Sequence, residues 1–280
     1  MASYAYHFRF LNKTNDDYSL ITSVSFDGGF DQVSSYTAVE SVTSDKYDGS
    51  KIDYGSKYTE QIELQITMVK SDYTDITNIE KRELLRWLSS KKKASWLELY
   101  DEDYGQIINY FGRFTSIDEK TADSRVIGLI ATFTSPFSYG FSPLREIKQT
   151  FIGSDAIIIQ NDSDVLDDYV NPYFTITPNK AIELLSIKNN NANTITYIKN
   201  LKANETLTLD NENKIAFTND TYRVMGTDFY GDIDGYITNY PVFIKLEPGV
   251  NTLFIDTMNS ECECSYSLSY RCPIKLGSVF

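Results

Sequence analysis

Residues 243–256 read FIKLEPGVNTLFID, and this stretch favours an antiparallel β fold for the region around it. Two apolar-rich runs flank Pro248 and Gly249, and a Pro-Gly pair between such runs is typical of a turn between strands. The stretch contains no obvious nucleophile, general base or set of metal ligands. We therefore predict a hairpin with a structural role.

The region around this hairpin, from Phe151 onward, predicts a β-sandwich without helices. Turn signals recur roughly every 8 to 12 residues, a spacing typical of sandwiches. The predicted strands are DAIIIQ, PYFTIT, AIELLSI, TITYIKNL, ETLTLD, KIAFT, YPVFIKL, NTLFID and CSYSLSYR. We place a boundary near residues 144–149, so we expect an N-terminal domain at 1–146 and a C-terminal domain at 147–280.

The first half of the chain predicts an α+β domain with one helix. From Ile62 to Met68 apolar and polar residues alternate strictly, which indicates a half-buried antiparallel strand. Apolar residues at helical spacing then predict a helix from about Thr77 to Ser89, begun by a capping box of Thr77 and Glu80. Three further strands are predicted in SWLELY, QIINYFGRF and RVIGLIATFTS. The whole chain is therefore expected to be mainly β.

Residues 44–58, SDKYDGSKIDYGSKY, form a polar, tyrosine-rich segment without an apolar face. One interpretation is a flexible loop. The other is a hairpin arm whose partner surface lies on another chain, a role that suits Tyr because it contributes contact area at low entropy cost. On the second interpretation the candidate subunit-interface residues are Asp45, Lys46, Tyr47, Asp48, Lys51, Asp53, Tyr54, Lys57 and Tyr58.

The net charge of the chain disfavours one class of binding partner, the nucleic acids. A net charge of −13 over 280 residues disfavours binding to nucleic-acid phosphates, because such binding needs clustered Lys and Arg. The N-terminus shows no secretory signal pattern, and no stretch of about 18 apolar residues could span a membrane. We expect folding in a cytosol, no membrane insertion and no sequence-specific binding to nucleic acid.

Residues that carry chemistry are sparse. His7 is the only histidine, which removes most histidine-based catalytic and metal sites. The acidic groups at Asp232 and Asp234 and at residues 164–168 lack the distal Glu of an EF-hand-like calcium loop. Three cysteines, an odd number, argue against a closed disulfide framework and favour buried thiols. We predict no catalytic residue, no cofactor and no metal site, and therefore no enzyme.

Motifs in both halves resemble those of one known family. In the first half these are YGSKYTEQIELQITMV, EKRELLRWLSSKKKASWLELYDED, YFGRFTSI and the domain end ATFTSPFSYG. In the second half they are NPYFTIT, IKNLKANETLTLDNENKIAF and the pattern L-x-P-G-x-N from Leu246 to Asn251. From about Ser23 to its end, the chain is similar to the distal tail protein (Dit) family of tailed bacteriophages. Where that family often shows a G-x-D-G or R-x-G turn, this chain has DKYDGSKIDYGS.

The resemblance implies a structural protein of the virion, at the tail tip or baseplate, that is assembled in the host bacterial cytoplasm. It implies a homohexameric ring in which a hairpin arm wraps around the next subunit and galectin-like antiparallel sandwiches face outward. The ring would join the tail tube protein to the tail-tip hub, a tail-associated lysin-like protein, and to receptor-binding proteins.

Two alternatives stay open. The first is a glycan-binding β-sandwich for host-surface attachment, which the 21 Tyr and 16 Phe residues would suit. Aromatics in β-rich chains are mostly core residues and cross-strand pairs, however, and both tryptophans, Trp87 and Trp96, lie in the first half. The second alternative is a hydrolase built on a carboxylate pair, which would need two buried acids facing a cleft.

Overall fold

The computed structural model describes residues 7–26, 39–47, 50–58, 61–89, 93–100, 105–165, 169–219 and 227–274. The chain divides into two compact units, which are described separately. The first unit comprises the chain as far as Pro143 together with Ile274, and the second runs from Leu144 to Pro273. The described residues are mainly β with one α-helix, as the sequence predicts.

The first unit is built on one large antiparallel sheet. Its strands are β1 (His7–Phe10), β2 (Lys13–Thr14), β3 (Leu20–Phe26), β4 (Val39–Asp45), β5 (Lys51–Tyr58), β6 (Ile62–Lys70), β7 (Ser95–Tyr100), β8 (Gln106–Ala122), β9 (Arg125–Ser135) and β10 (Gly140–Phe141). The helix α1 spans Asn78–Ser89, and a 3-10 turn spans Asp16–Tyr18. The strands pair in the order β2-β1-β7-β8-β9-β6-β3, and β10 adds to β8. Strands β4 and β5 form a separate two-stranded sheet.

The predicted alternation in β6 is confirmed. Ile62, Leu64, Ile66 and Met68 are buried, and the residues between them are exposed or half-buried. The strand lies between β3 and β9, so its backbone groups are paired on both sides while one face covers the core. A period of two residues therefore identified both the strand and its buried face.

The predicted helix and its capping box are also confirmed. The backbone N–H of Thr77 donates to Glu80 Oε2 at 2.7 Å, and the N–H of Glu80 donates to Thr77 Oγ1 at 3.3 Å. Trp87 fastens the helix to the sheet, because its ring stacks on Phe8 at 5.2 Å and its Nε1–H donates to the Phe10 carbonyl at 2.8 Å. The apolar face of α1 thereby closes the core of the first unit.

The second unit is an antiparallel β-sandwich. Its strands are β11 (Arg145–Ile152), β12 (Ser154–Asn161), β13 (Tyr173–Pro178), β14 (Ile182–Asn189), β15 (Thr194–Leu201), β16 (Leu207–Asp210), β17 (Ile215–Thr218), β18 (Phe229–Ile233), β19 (Tyr236–Thr238), β20 (Gly249–Asp256) and β21 (Glu263–Tyr270); the short β22 (Pro273–Ile274) follows at the end of the described chain. One sheet has the order β11-β21-β13-β16-β17 and the other β12-β20-β14-β15-β18-β19. Apolar residues of both sheets form one core.

The second unit begins at Leu144, and its first strand, β11, covers the region around residues 144–149 where the sequence placed a boundary. One region of the sandwich differs from the sequence expectation. The predicted strand YPVFIKL is wrong, because residues 241–247 form no strand and only Leu246 makes an isolated bridge, to Val170. The predicted hairpin at Pro248 and Gly249 is therefore wrong as well, since only β20 after the turn is a strand.

Residues 241–247 are called the asparagine-held segment below. Buried asparagine side chains form hydrogen bonds with its backbone groups, which in a strand would pair with a neighbouring strand. Buried backbone polar groups need partners, and here amide side chains supply them. The bonds run from Ile244 N–H to Asn211 Oδ1 at 2.7 Å, from Asn189 Nδ2 to the Lys245 carbonyl at 2.7 Å, from Asn161 Nδ2 to the Leu246 carbonyl at 3.0 Å, and from Glu247 N–H to Asn251 Oδ1 at 2.9 Å. All four asparagines are at most 2% exposed.

Candidate assembly interface

Strands β4 and β5 form a hairpin, called the arm below, in the segment for which the sequence left a loop or an arm open. The chain leaves the large sheet at Phe26, the end of β3, and re-enters it at Ile62, the start of β6. Strands β3 and β6 are paired neighbours, with Phe26 opposite Leu64. The arm is therefore an insertion at one end of the strand pair that forms a margin of the sheet.

The register of the arm explains why a polar sequence forms strands there. Asp45 lies opposite Lys51, and Glu40 lies opposite Lys57, so two positions of opposite charge face each other across the strands. Opposite charges at directly opposed positions stabilise an antiparallel pair. The register shifts near Gly55, a β-bulge that increases the local twist.

The tip of the arm presents one tyrosine to solvent. The backbone N–H of Lys46 donates to the Ser50 carbonyl at 2.7 Å, which closes the turn. Tyr47 in this turn has a relative exposure of 110%, as much as in an extended peptide. Asp48 lies outside the described residues. The other predicted interface residues lie at the end of β4 or along β5, and they are Asp45, Lys51, Asp53, Tyr54, Lys57 and Tyr58.

The arm lacks the features that stabilise an independent sheet. Among the described strands, β4 and β5 pair only with each other, so the outer edges of both strands are unpaired. A two-stranded hairpin alone is marginally stable in water, and unpaired edges readily receive a strand of another chain. Whether the nine predicted residues form an interface stays a prediction.

A groove of about 770 Å³ opens in the first unit between the β1–β2 turn, α1 and the start of β7. We call it the β1–α1 groove. The side chains that give it its character are aromatic or cationic, namely Arg9, Lys13, Tyr18, Arg86, Trp87 and Trp96. Both tryptophans of the chain therefore line this one groove. The sequence did not reveal it, because its residues come from segments about 80 positions apart in the chain and show no local motif.

Stacking and ion pairing organise the groove. The Tyr18 ring stacks on Trp87 at 4.8 Å, and Lys13 Nζ lies 4.9 Å from the Tyr18 ring centroid. Arg9 pairs with Glu98 at 3.6 Å, which leaves Lys13 and Arg86 as the remaining cations beside a second carboxylate, Glu83. The lining thus carries three cations and two carboxylates, a net positive charge within an acidic chain.

The other candidate residues have structural surroundings. His7 Nδ1 lies 3.2 Å from Asp16 Oδ1 near the β1 margin. Asp232 accepts the Gly235 N–H at 2.7 Å in the β18–β19 turn, and residues 166–168 lie outside the described chain. Within the described ranges, no group of three or more His, Cys, Asp or Glu side chains is placed to hold a metal ion.

The three cysteines are buried free thiols, as the sequence predicts. Cys262 and Cys264 bring their sulfur atoms to 3.8 Å, and burial raises the pKa of the Cys264 thiol to about 12. A thiol with such a pKa is protonated at neutral pH and is a poor nucleophile. Cys272 is equally buried, so the cysteines contribute to packing in the sandwich.

Comparison with protein families assigns the chain. A family model described as a phage tail protein N-terminal domain matches residues 3–135, and one described as a phage tail C-terminal domain matches residues 139–270. Together the two models account for nearly the whole chain in the expected order.

The chain belongs to the phage tail proteins.

The resemblance to phage tail proteins drawn from the sequence is thus confirmed, and this phage tail protein is a structural component of the virion. Its fold is similar to that of SPP1 Dit, a protein described as a paradigm of the hub adsorption apparatus in phages that infect Gram-positive bacteria. The two structures superpose with a TM-score of 0.59 at 12% identity, over 97% of this chain and 99% of SPP1 Dit.

A second similar structure is the phage P2 baseplate in its activated conformation with Ca. It has a TM-score of 0.44 and 10% identity, and the match covers 94% of this phage tail protein and 97% of the baseplate chain. Curated protein sequences contain no match to this chain. Within the described residues, no helix is long and apolar enough to cross a membrane.

Proposed function

We propose that this phage tail protein forms a closed ring of six subunits at the distal end of the tail. The ring joins the tail tube to the tail-tip hub and to receptor-binding proteins, and it assembles in the host cytoplasm. The observation that carries this proposal is the arm, a two-stranded hairpin inserted at the margin of the large sheet, whose outer edges pair with none of the described strands.

A ring requires an interface that is not self-complementary. A contact between two different surfaces, repeated around an axis, closes into a ring when the rotation between neighbours is right. An arm that projects from one subunit and a surface that receives it on the next provide such a pair. The fold shared with SPP1 Dit, which is described as a paradigm of the hub adsorption apparatus, supports a place in a hub of that kind.

The function is that of a connector, without catalysis. The phage tail family and the architecture of the arm both support a structural role. Burial raises the pKa of the Cys264 thiol and keeps it protonated, and His7 contacts Asp16 in an exposed position, so neither residue supports a nucleophile–base pair.

Solution mass tests the ring. Light scattering on the purified chain should give six times the mass of one subunit, or twelve times for a stacked pair of rings, and negative-stain images of the same fraction should show six-fold symmetry. Replacing Val39–Tyr58 by a short Gly-Ser linker should leave a folded monomer. A wild-type chain of another closed symmetry, or a variant that still forms rings, would contradict the proposal.

One observation favours glycan binding by the sandwich as a second function. On the face of the second unit's larger sheet away from the core, the rings of Tyr197 and Tyr230 stack at 4.8 Å, and Lys199 Nζ lies 4.7 Å from the Tyr230 ring. Aromatic and charged groups together suit a sugar, although these rings already stack on each other. A glycan array probed with the wild type and with Tyr230→Ala tests it. A signal lost in the variant supports this function, and an array without signal removes it.

A further inference from the structure

We propose that the β1–α1 groove of one subunit receives the arm tip of a second copy of this chain, with Tyr47 as the side chain that enters it. This inference rests on the proposed ring and adds the surface by which each subunit holds the next. It predicts one donor tip and one acceptor groove per chain, which is the pairing that a closed ring needs.

The groove has the chemistry to bind a tyrosine. The half-buried Tyr18 and Trp96 offer aromatic surface, and Trp87 lies buried against Tyr18. Aromatic rings bind one another in stacked or edge-to-face arrangements. Arg86 is exposed on α1 and has neither an ion pair nor a hydrogen bond among the described residues. A guanidinium in this position can donate to a phenol oxygen or stack on its ring.

The arm tip has the complementary chemistry. Tyr47 is fully exposed in its own chain, so it does not fill the groove of the same subunit. The sequence of the arm, residues 39–58, carries four acidic and three basic residues, whereas the groove lining is net positive. A tyrosine that enters an aromatic pocket on a partner is the type of residue that dominates binding energy at protein interfaces.

Tryptophan fluorescence gives a readout through Trp96, a half-buried residue of the groove lining, because the other tryptophan, Trp87, is buried in the core. When rings of the wild-type chain are diluted until they dissociate, the emission should shift to longer wavelength as the groove fills with water. The shift should follow the loss of ring mass measured by light scattering in the same samples. Emission that does not change while rings dissociate would overturn the proposal.

Two variants should weaken the ring without affecting the folding of a subunit. Tyr47→Ala should raise the dissociation constant of the ring about 30-fold, the effect of losing a buried interface tyrosine. Arg86→Glu should also weaken it, whereas Arg82→Glu, one turn earlier on the same helix and outside the groove, should not. Equal effects of the two arginine changes would show that helix charge matters and the groove does not.

Cross-linking locates the contact. Lys46→Cys with Ser95→Cys places thiols beside Tyr47 and in the groove lining, and the native cysteines are buried. A short bis-maleimide should give a ladder of up to six linked chains, and the control pair Lys46→Cys with Ile79→Cys, at the first turn of α1, should not.

The outcomes separate this inference from the ring itself. If rings form but Lys46→Cys with Ser95→Cys gives no cross-link, or if the control pair cross-links equally well, the proposed ring is retained and the proposed binding of the arm tip in the groove is wrong. A wild-type chain that stays monomeric overturns both. If deletion of residues 1–6 changes the tryptophan emission of rings and Tyr47→Ala does not, the N-terminal segment occupies the groove and the proposal is wrong.

Discussion

The arm and the asparagine-held segment show that an apolar pattern does not decide whether a segment forms a strand. The arm is polar and lacks an apolar face, yet residues 39–45 and 51–58 are regular paired strands. The segment at 241–247 contains the apolar run that predicts a strand, yet it forms none and is held by four buried asparagines. The comparison teaches that a strand requires a neighbouring edge, whereas an apolar pattern shows only that a segment will be buried.

The two regions should also differ in what they contribute to stability. The asparagine-held segment is hydrogen-bonded to buried side chains. A substitution that removes one of these bonds therefore leaves polar atoms without partners inside the sandwich. The described strands of the arm pair only with each other. Deletion of the arm should therefore prevent ring assembly but change the unfolding free energy of the subunit little. Tryptophan fluorescence reports on the first unit, which contains both tryptophans, and circular dichroism reports on the strands of both units.

The largest effect is expected at Asn211. In Asn211→Ala the Ile244 N–H and the Pro172 carbonyl lose their amide partner, and unsatisfied buried groups of this kind cost about 2 to 4 kcal/mol together. Urea unfolding followed by circular dichroism should show this loss, while the tryptophan transition stays where it is. Asn213→Ala, two residues away and exposed, is the control and should change stability by less than about 0.5 kcal/mol. Equal effects at both sites would break the comparison.

An intermediate effect is expected at Thr77, where the hydrogen bonds of the helix cap join nearby residues and are exposed. Thr77→Ala removes the cap of α1 and should lower the unfolding free energy by about 1 kcal/mol. The tryptophan transition is the measurement, because Trp87 lies on this helix. Ser89→Ala at the other end of α1 is the matched control, with an expected change below about 0.5 kcal/mol. If Thr77→Ala lowered the unfolding free energy as much as Asn211→Ala, burial would not determine how much such a hydrogen bond contributes to stability.

A smaller effect depends on pH. Hydrogen bonds from Thr77, and then from Lys70, lower the pKa of Glu80 from its usual value near 4.5 to about 2. Because the folded pKa is the lower one, the contribution is fully present above pH 4.5 and is lost as the pH falls toward 2. Solvent screening keeps it small, since the side chain is 40% exposed. Between these pH values the tryptophan transition of the wild type should lose stability faster than that of Glu80→Gln; parallel curves would contradict the assignment.

The smallest effect on unfolding is expected for the arm itself. Replacing Val39–Tyr58 by a short Gly-Ser linker should shift neither transition by more than about 0.5 kcal/mol, because the described strands of the arm pair only with each other. The urea titration with both probes is the measurement, made on monomeric samples. A large shift of the tryptophan transition would show that the arm supports its own subunit, and the contrast with the asparagine-held segment would be lost.

The sequence by itself determined the elements whose signals are local. The alternation of β6, the capping box of α1 and most sandwich strands follow from residues within a few positions of each other, because backbone geometry repeats every 2 or about 3.6 residues. The family motifs likewise lie in contiguous stretches, so the phage tail assignment was within reach of the sequence.

Only the tertiary structure decided which distant groups meet. Asn161 and Leu246 are 85 positions apart, and Asn211 and Ile244 are 33 apart, so no local pattern shows that amides will replace a strand neighbour. The β1–α1 groove has the same origin, since Phe10 and Trp87 are joined across 77 positions. Periodicity states which face of a segment is buried, but the partner of each polar group is set by the packing of the whole chain.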